Sequence, residues 1–218
     1  MVQLILDNGG ITLPSGGTIR VAGRVCKMVG DVGEEILIQA MMREFKVPAK
    51  NILGYSRGKL GLNNASSQGL DILVKVPPPP SLTVRNPTTQ TARNGIEGAH
   101  GTTGTTTLTF QPDTLLVIEL KTTLGGQVTP GLSKATQQNG GAGNLKRILK
   151  LIEEGSGGWG SNKLPLFDPE FGIKLQEVKR ASRQGRIKFV HAQVFLKRDG
   201  SINAEVGNSN GIQWNDWQ

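Results

Sequence analysis

The chain is poor in the residues that announce a disulfide-stapled, zinc-bound or membrane-spanning protein. One cysteine, Cys26, in 218 residues excludes an internal disulfide framework and a zinc site built on cysteines. Two histidines, His100 and His191, are too few for a histidine-rich metal site, so any metal bound here would be held by oxygen. No apolar run approaches the ~20 residues that span a bilayer, and the opening residues lack a basic segment followed by an apolar export core. Neither a membrane partner nor an export address is expected from the chain itself. Acidic residues are outnumbered: 17 Asp and Glu stand against 25 Lys and Arg, a formal net charge of +8. Such an excess favours a polyanionic partner such as nucleic acid, with plain solubility as the ordinary alternative. The 36% hydrophobic content supplies a core for one domain of generous size.

What is present reads as alternating elements. Residues 1–30 carry Asn-Gly-Gly and Pro-Ser-Gly-Gly turns between short β-prone stretches and predict a β-rich arm or linker. DVGEEILIQAMMREF (31–45) predicts a helix, with Leu37, Ile38, Met41 and Phe45 at helical spacing and Pro48 beyond its end. NILGYSR predicts a short strand, and QGLDILVKV (68–76) a second, closed by Pro77 to Pro80. Residues 77–112, rich in Pro, Thr, Gly and Asn, predict a long insertion, either a hairpin extension or a loop. TLLVIELKTT is the most hydrophobic strand, and its continuous apolar character implies burial on two sides. NLKRILKLIEE predicts an amphipathic helix with a basic outer face, GRIKFVHAQVFLK (185–197) a last strand, and 201–218 a tail. The expected fold class is α/β, a mixed central β-sheet flanked by helices, with one domain over 31–200.

Chemistry concentrates at the end of the most apolar strand. Residues two apart in a strand share a face, so Glu119 and Lys121 point the same way. If the strand holding Asp71 is its neighbour, two carboxylates converge as oxygen ligands suited to Mg²⁺ or Mn²⁺, with an amine beside them. Such a set suffices for phosphodiester hydrolysis. The plainer reading is a structural Glu119–Lys121 ion pair, but a charge inside LLVIEL is expensive without compensation. Glu34 lies at helical spacing from Leu37, Ile38 and Met41 and is expected to face inward, while its place three residues after Asp31 also suits a capping box. Lys134, Lys146, Arg147 and Lys150 are candidates for contacts to backbone phosphates, or form a solvated basic face. GQVTPGLSK has Leu132 where a phosphate-binding loop needs its lysine, and no role is assigned to His100 or His191.

Taken together, GEEILIQAMMREF, GLDILVKV and DTLLVIELKTT resemble the core of the PD-(D/E)xK nuclease superfamily, the restriction-endonuclease-like fold. The resemblance covers about residues 31–155, interrupted by the insertion. It implies that Asp71 and Glu119 bind the metal, that Glu34 is the helix glutamate of the site, and that Lys121 is the catalytic lysine. Gln137 and Gln138 open the second helical region, where many members place a glutamine or lysine near the phosphate. No proline precedes Asp71, which follows Gly69 and Leu70. The implied activity is a Mg²⁺- or Mn²⁺-dependent endonuclease with DNA favoured. A tRNA-cleaving enzyme of the same fold and a non-catalytic nucleic-acid binding module are the alternatives. A compact basic nuclease also resembles the toxin domains of bacterial polymorphic toxins, which implies an acidic immunity protein as partner and action in the bacterial cytoplasm after delivery from another cell. A repair or restriction enzyme is the other context.

Overall fold

The computed structural model describes residues 11–12, 18–19, 21–55, 59–60, 69–78, 81–87, 102–125, 132, 134–156, 159, 169–206 and 210–217. Two short strands, β1 (Ile11–Thr12) and β2 (Thr18–Ile19), pair antiparallel by themselves. Helix α1 (Val21–Glu44) follows, then a single 3₁₀ turn (Ala49–Asn51), β3 (Ile52–Tyr55), β4 (Lys59–Leu60), β5 (Ile72–Val76), β6 (Leu82–Pro87), β7 (Thr102–Leu108) and β8 (Thr114–Leu124). The remainder comprises the short helix α2 (Ala135–Gln138), α3 (Gly140–Glu154), α4 (Phe171–Arg183), β9 (Ile187–Leu196) and β10 (Ile212–Asp216). The eight strands from β3 to β10 form one mixed sheet in the order β4-β3-β5-β8-β9-β10-β6-β7.

β8 runs antiparallel to β5 and parallel to β9. A parallel neighbour requires a crossover, which α2, α3 and α4 supply between the two strands. Both faces of β8 are covered. Leu116 and Ile118 join Leu37, Ile38 and Met41 of α1 in one core, whereas Leu115 and Val117 join Leu145 and Ile148 of α3 and Val178 of α4 in the other. Burial on two sides is why its sequence reads as one apolar run rather than an alternation. Helix α1 lies close to the strand: a Cβ on Gly33 would sit 1.9 Å from Thr122 Oγ1, so only glycine permits this approach.

The α/β architecture with a mixed sheet agrees with the sequence expectation, and several boundaries do not. Helix α1 begins at Val21, ten residues before the predicted start, so it extends into the segment read as an arm. The segment 77–112 supplies β6 and β7, an antiparallel pair that joins the main sheet through β10. Its threonine-rich TTGTTTL is the edge strand, in keeping with the β preference of branched side chains. Helix α4 went unpredicted, although Phe171, Val178 and Ala181 recur on its buried side. The presumed tail supplies β10, an interior strand between β9 and β6. His100 lies outside the described residues.

Candidate active site

Alternation along β8 builds the site. Leu115, Val117, Glu119 and Lys121 share one face, and the core on that face ends at Val117, where the carboxylate and the amine begin. β5 starts at Ile72, paired with Ile118, which places Asp71 opposite Glu119 at the next position of the register. Asp71 Oδ2 accepts the backbone N–H of Leu120 at 2.9 Å, taking up a donor where the β5–β8 ladder ends. The expected convergence of Asp71, Glu119 and Lys121 is thus present in the structure.

Glu119 is 1% exposed, and its two oxygens are treated unequally. Oε1 accepts both from Lys121 Nζ at 2.5 Å and from Gln137 Nε2 at 2.5 Å. Oε2 is buried with no hydrogen-bond partner, and so is the side-chain oxygen of Gln137. Burial, reinforced by the charge of Asp71, pushes the Glu119 carboxyl up to about 8 against the pull of Lys121. Burial also works to lower the Lys121 pKa, but Glu119 and Asp71 outweigh it and the net shift is upward, so the amine stays an ammonium. The half-buried Asp71, the buried Glu119 and two orphaned acceptor oxygens form a site short of positive charge.

Gln137 stands at the end of α2, and its neighbours hold it there. Trp217 Nε1 donates to the Gln137 carbonyl at 2.8 Å, and Gly141 N–H donates to the Trp217 carbonyl at 2.7 Å. The Trp217 ring meets Phe189 edge-on with centroids 6.4 Å apart. A Cβ on Gly141 would fall 2.4 Å from Phe189, which is why glycine stands at this contact between α3 and β9.

The polar face continues across the sheet. Glu119 is in register with His191 of β9 and Lys121 with Gln193, while β10 sets Asn215 against His191 and Gln213 against Gln193. Gln193 Oε1 accepts from Gln213 Nε2 at 2.9 Å and from Asn215 Nδ2 at 2.8 Å. Sequence reasoning missed these residues. The signal was legible all the same: HAQ inside KFVHAQVFL and QWN at 213–215 place polar groups two apart within apolar strands, the pattern that singled out ELK.

The other predicted site residues are distributed as follows. Glu34 is buried on α1, but α1 covers the sheet face opposite Glu119 and Lys121. Among the described residues, no three His, Cys, Asp or Glu side chains gather as a metal-binding group, so Glu34 does not complete a carboxylate triad. Gln137 is drawn to the carboxylate instead of being displayed outward. Gln138 is exposed and donates to the Leu132 carbonyl at 2.8 Å. Lys134, Lys146 and Lys150 are exposed, with Lys150 3.6 Å from Glu154, and Arg147 is half-buried and bonded to Asn144 Oδ1 at 3.1 Å.

Neither family models, curated proteins nor solved structures match the chain. None of the three comparisons identifies the superfamily that the sequence resembles. No helix among the described residues is long and apolar enough to cross a membrane.

Proposed function

We propose that the protein is a divalent-metal-dependent nuclease that hydrolyses phosphodiester bonds, with DNA the favoured substrate. The single observation that carries this reading is the meeting of the half-buried Asp71 and Lys121 with the buried Glu119, whose Oε2 is left unpartnered. A carboxyl held near 8 by burial and a second carboxylate is what a cation would relieve, and the donors present are hard oxygens, which fit Mg²⁺ or Mn²⁺. Asp71 and Glu119 would hold the ion. When bound, it supplies Lewis acidity toward a phosphate oxygen and lowers the pKa of a coordinated water.

The chain's own residues divide the remaining work. Lys121 is an ammonium beside the carboxylates in the metal-free fold, and in that form it would steady negative charge developing on the phosphoryl oxygens as water adds and the P–O bond breaks. Gln137 and Lys121 fix Glu119 by its Oε1 and leave Oε2 for the cation. The net charge of +8 supports attraction of the polyanion. It equally suits an acidic immunity protein in the toxin setting, with action in the bacterial cytoplasm after delivery, a context that rests on resemblance.

The test is incubation of the protein with plasmid DNA and, separately, with total tRNA, each with Mg²⁺ and with EDTA. Plasmid degradation that needs the metal supports the reading. Cleavage of tRNA alone moves the substrate to RNA, and no cleavage of either with any divalent ion overturns the nuclease reading in favour of a binding module.

A further inference from the structure

The Gln137 side chain of α2 enters the carboxylate site, and its chemistry there is only half used. Its Nε2 donates to Glu119 Oε1, while its Oε1, one carbon away on the same amide, is buried without a partner. A buried amide oxygen left bare is destabilising. Once Glu119 is ionised, as it must be to hold a cation, its own orphan Oε2 is also only an acceptor, so neither oxygen can satisfy the other and a cation can serve both. The backbone around Gln137 is built to hold the amide in place. Trp217 clamps its carbonyl and the start of α3 through two hydrogen bonds, and Gly141 seats that start against Phe189.

Resting on the reading of Asp71 and Glu119 as a cation site, we propose that the Gln137 side-chain oxygen is a third ligand of that cation. It stands in place of a third carboxylate, and Trp217 is the positioning residue that keeps it there. An amide in this role adds an oxygen without adding charge, which suits a point where two carboxylates already repel one another.

The experiment is direct Mn²⁺ binding, followed by calorimetry and by the electron paramagnetic resonance of free Mn²⁺, on the full chain without nucleic acid. Gln137→Ala is expected to weaken binding about tenfold or more, and Trp217→Phe, which keeps an aromatic ring but loses the indole N–H, by less. Gln137→Glu is expected to bind at least as tightly as wild type, because the new carboxylate offers the same oxygen with charge; a merely structural glutamine would not be rescued this way. Asp71→Asn separates the two layers of the argument. If Asp71→Asn loses Mn²⁺ and Gln137→Ala binds like wild type, the cation site stands and the third-ligand proposal falls. If wild type binds no Mn²⁺, both fall together. Thermal melts of every variant identify a loss caused by misfolding, in which case the Gln137→Glu result decides.

Discussion

Two lysines leave the same face of the sheet and both meet carboxylates, yet their surroundings differ in kind. Lys75 of β5 reaches Asp113 at 2.7 Å and Glu177 of α4 at 3.0 Å, and Asp113 is further paired with Arg186 at 3.5 Å. Every group there is partly solvated and carries an opposite charge. Lys121 of β8 meets Glu119 at full burial of the carboxylate, with Asp71 adding a second negative charge and two acceptor oxygens left over. The first arrangement is closed and stitches β5, α4 and the turn before β8 together. The second is open. Unmatched acceptors in a buried place distinguish a site from a structural ion pair more sharply than the presence of a lysine and a glutamate.

The largest effect expected from breaking this contrast is at Lys121. Lys121→Met should lower the turnover of nucleic-acid cleavage by about 10²–10³, the scale for removing one stabilising charge from a developing oxyanion. It should shift the melting temperature by only a few degrees, because Glu119 can take a proton once its partner is gone instead of remaining a buried, unpaired charge. Single-turnover rates and a thermal melt on the same preparation check both halves. A collapse in stability with unchanged turnover would make Lys121 the structural lysine.

Next in size is a dependence on pH that the closed pair does not share. The Glu119 carboxyl is raised from 4.5 to about 8 in the folded protein. The folded state therefore keeps a proton that the unfolded chain has already released, and stability without metal should fall as pH rises through that window, with a slope of up to ~1.4 kcal/mol per unit. Glu119→Gln should flatten the slope and be the more stable protein at pH 8. Saturating Mg²⁺ should flatten it in wild type, since a cation that replaces the proton releases it to solvent. Denaturant titrations at four or five pH values decide; parallel curves for wild type and Glu119→Gln would show that Glu119 is ionised in the metal-free fold.

The site was legible because its elements obey simple periodicities. Glu119 and Lys121 share a face by strand alternation, and the apolar run before them marks a strand buried on both sides. The meeting with Asp71 needed one further assumption, that consecutive long strands are neighbours, which the β5–β8 pairing satisfies. What stayed hidden depends on contacts distant in sequence. Nothing local connects Gln137 to Trp217, 80 positions apart, nor tells that β10 inserts beside β9 and carries Asn215 to the level of His191. Glu34 was read correctly as inward, but a helical wheel says only that a side is buried and not which face of the sheet the helix covers. Helix α4 was missed because its buried side includes Lys174, which interrupts the apolar stripe.

The smallest effect is expected at Lys75, and it completes the contrast from the other side. Lys75→Met removes two ion pairs that are partly exposed, so the loss should be about 1 kcal/mol, which for a chain of this length lowers the melting temperature by roughly 2–4 °C. Part of the loss should vanish in 1 M salt, where the wild-type pairs are themselves screened. Cleavage should be unchanged, because Lys75 is four residues along β5 from Asp71 and its ammonium is engaged by Asp113 and Glu177. The two lysines then respond in opposite ways: one variant loses chemistry and keeps the fold, while the other keeps chemistry and yields stability in a salt-dependent manner. A Lys75→Met protein that melts normally but no longer cleaves would place the second pair in the substrate path and remove the distinction between closed and open arrangements on this face.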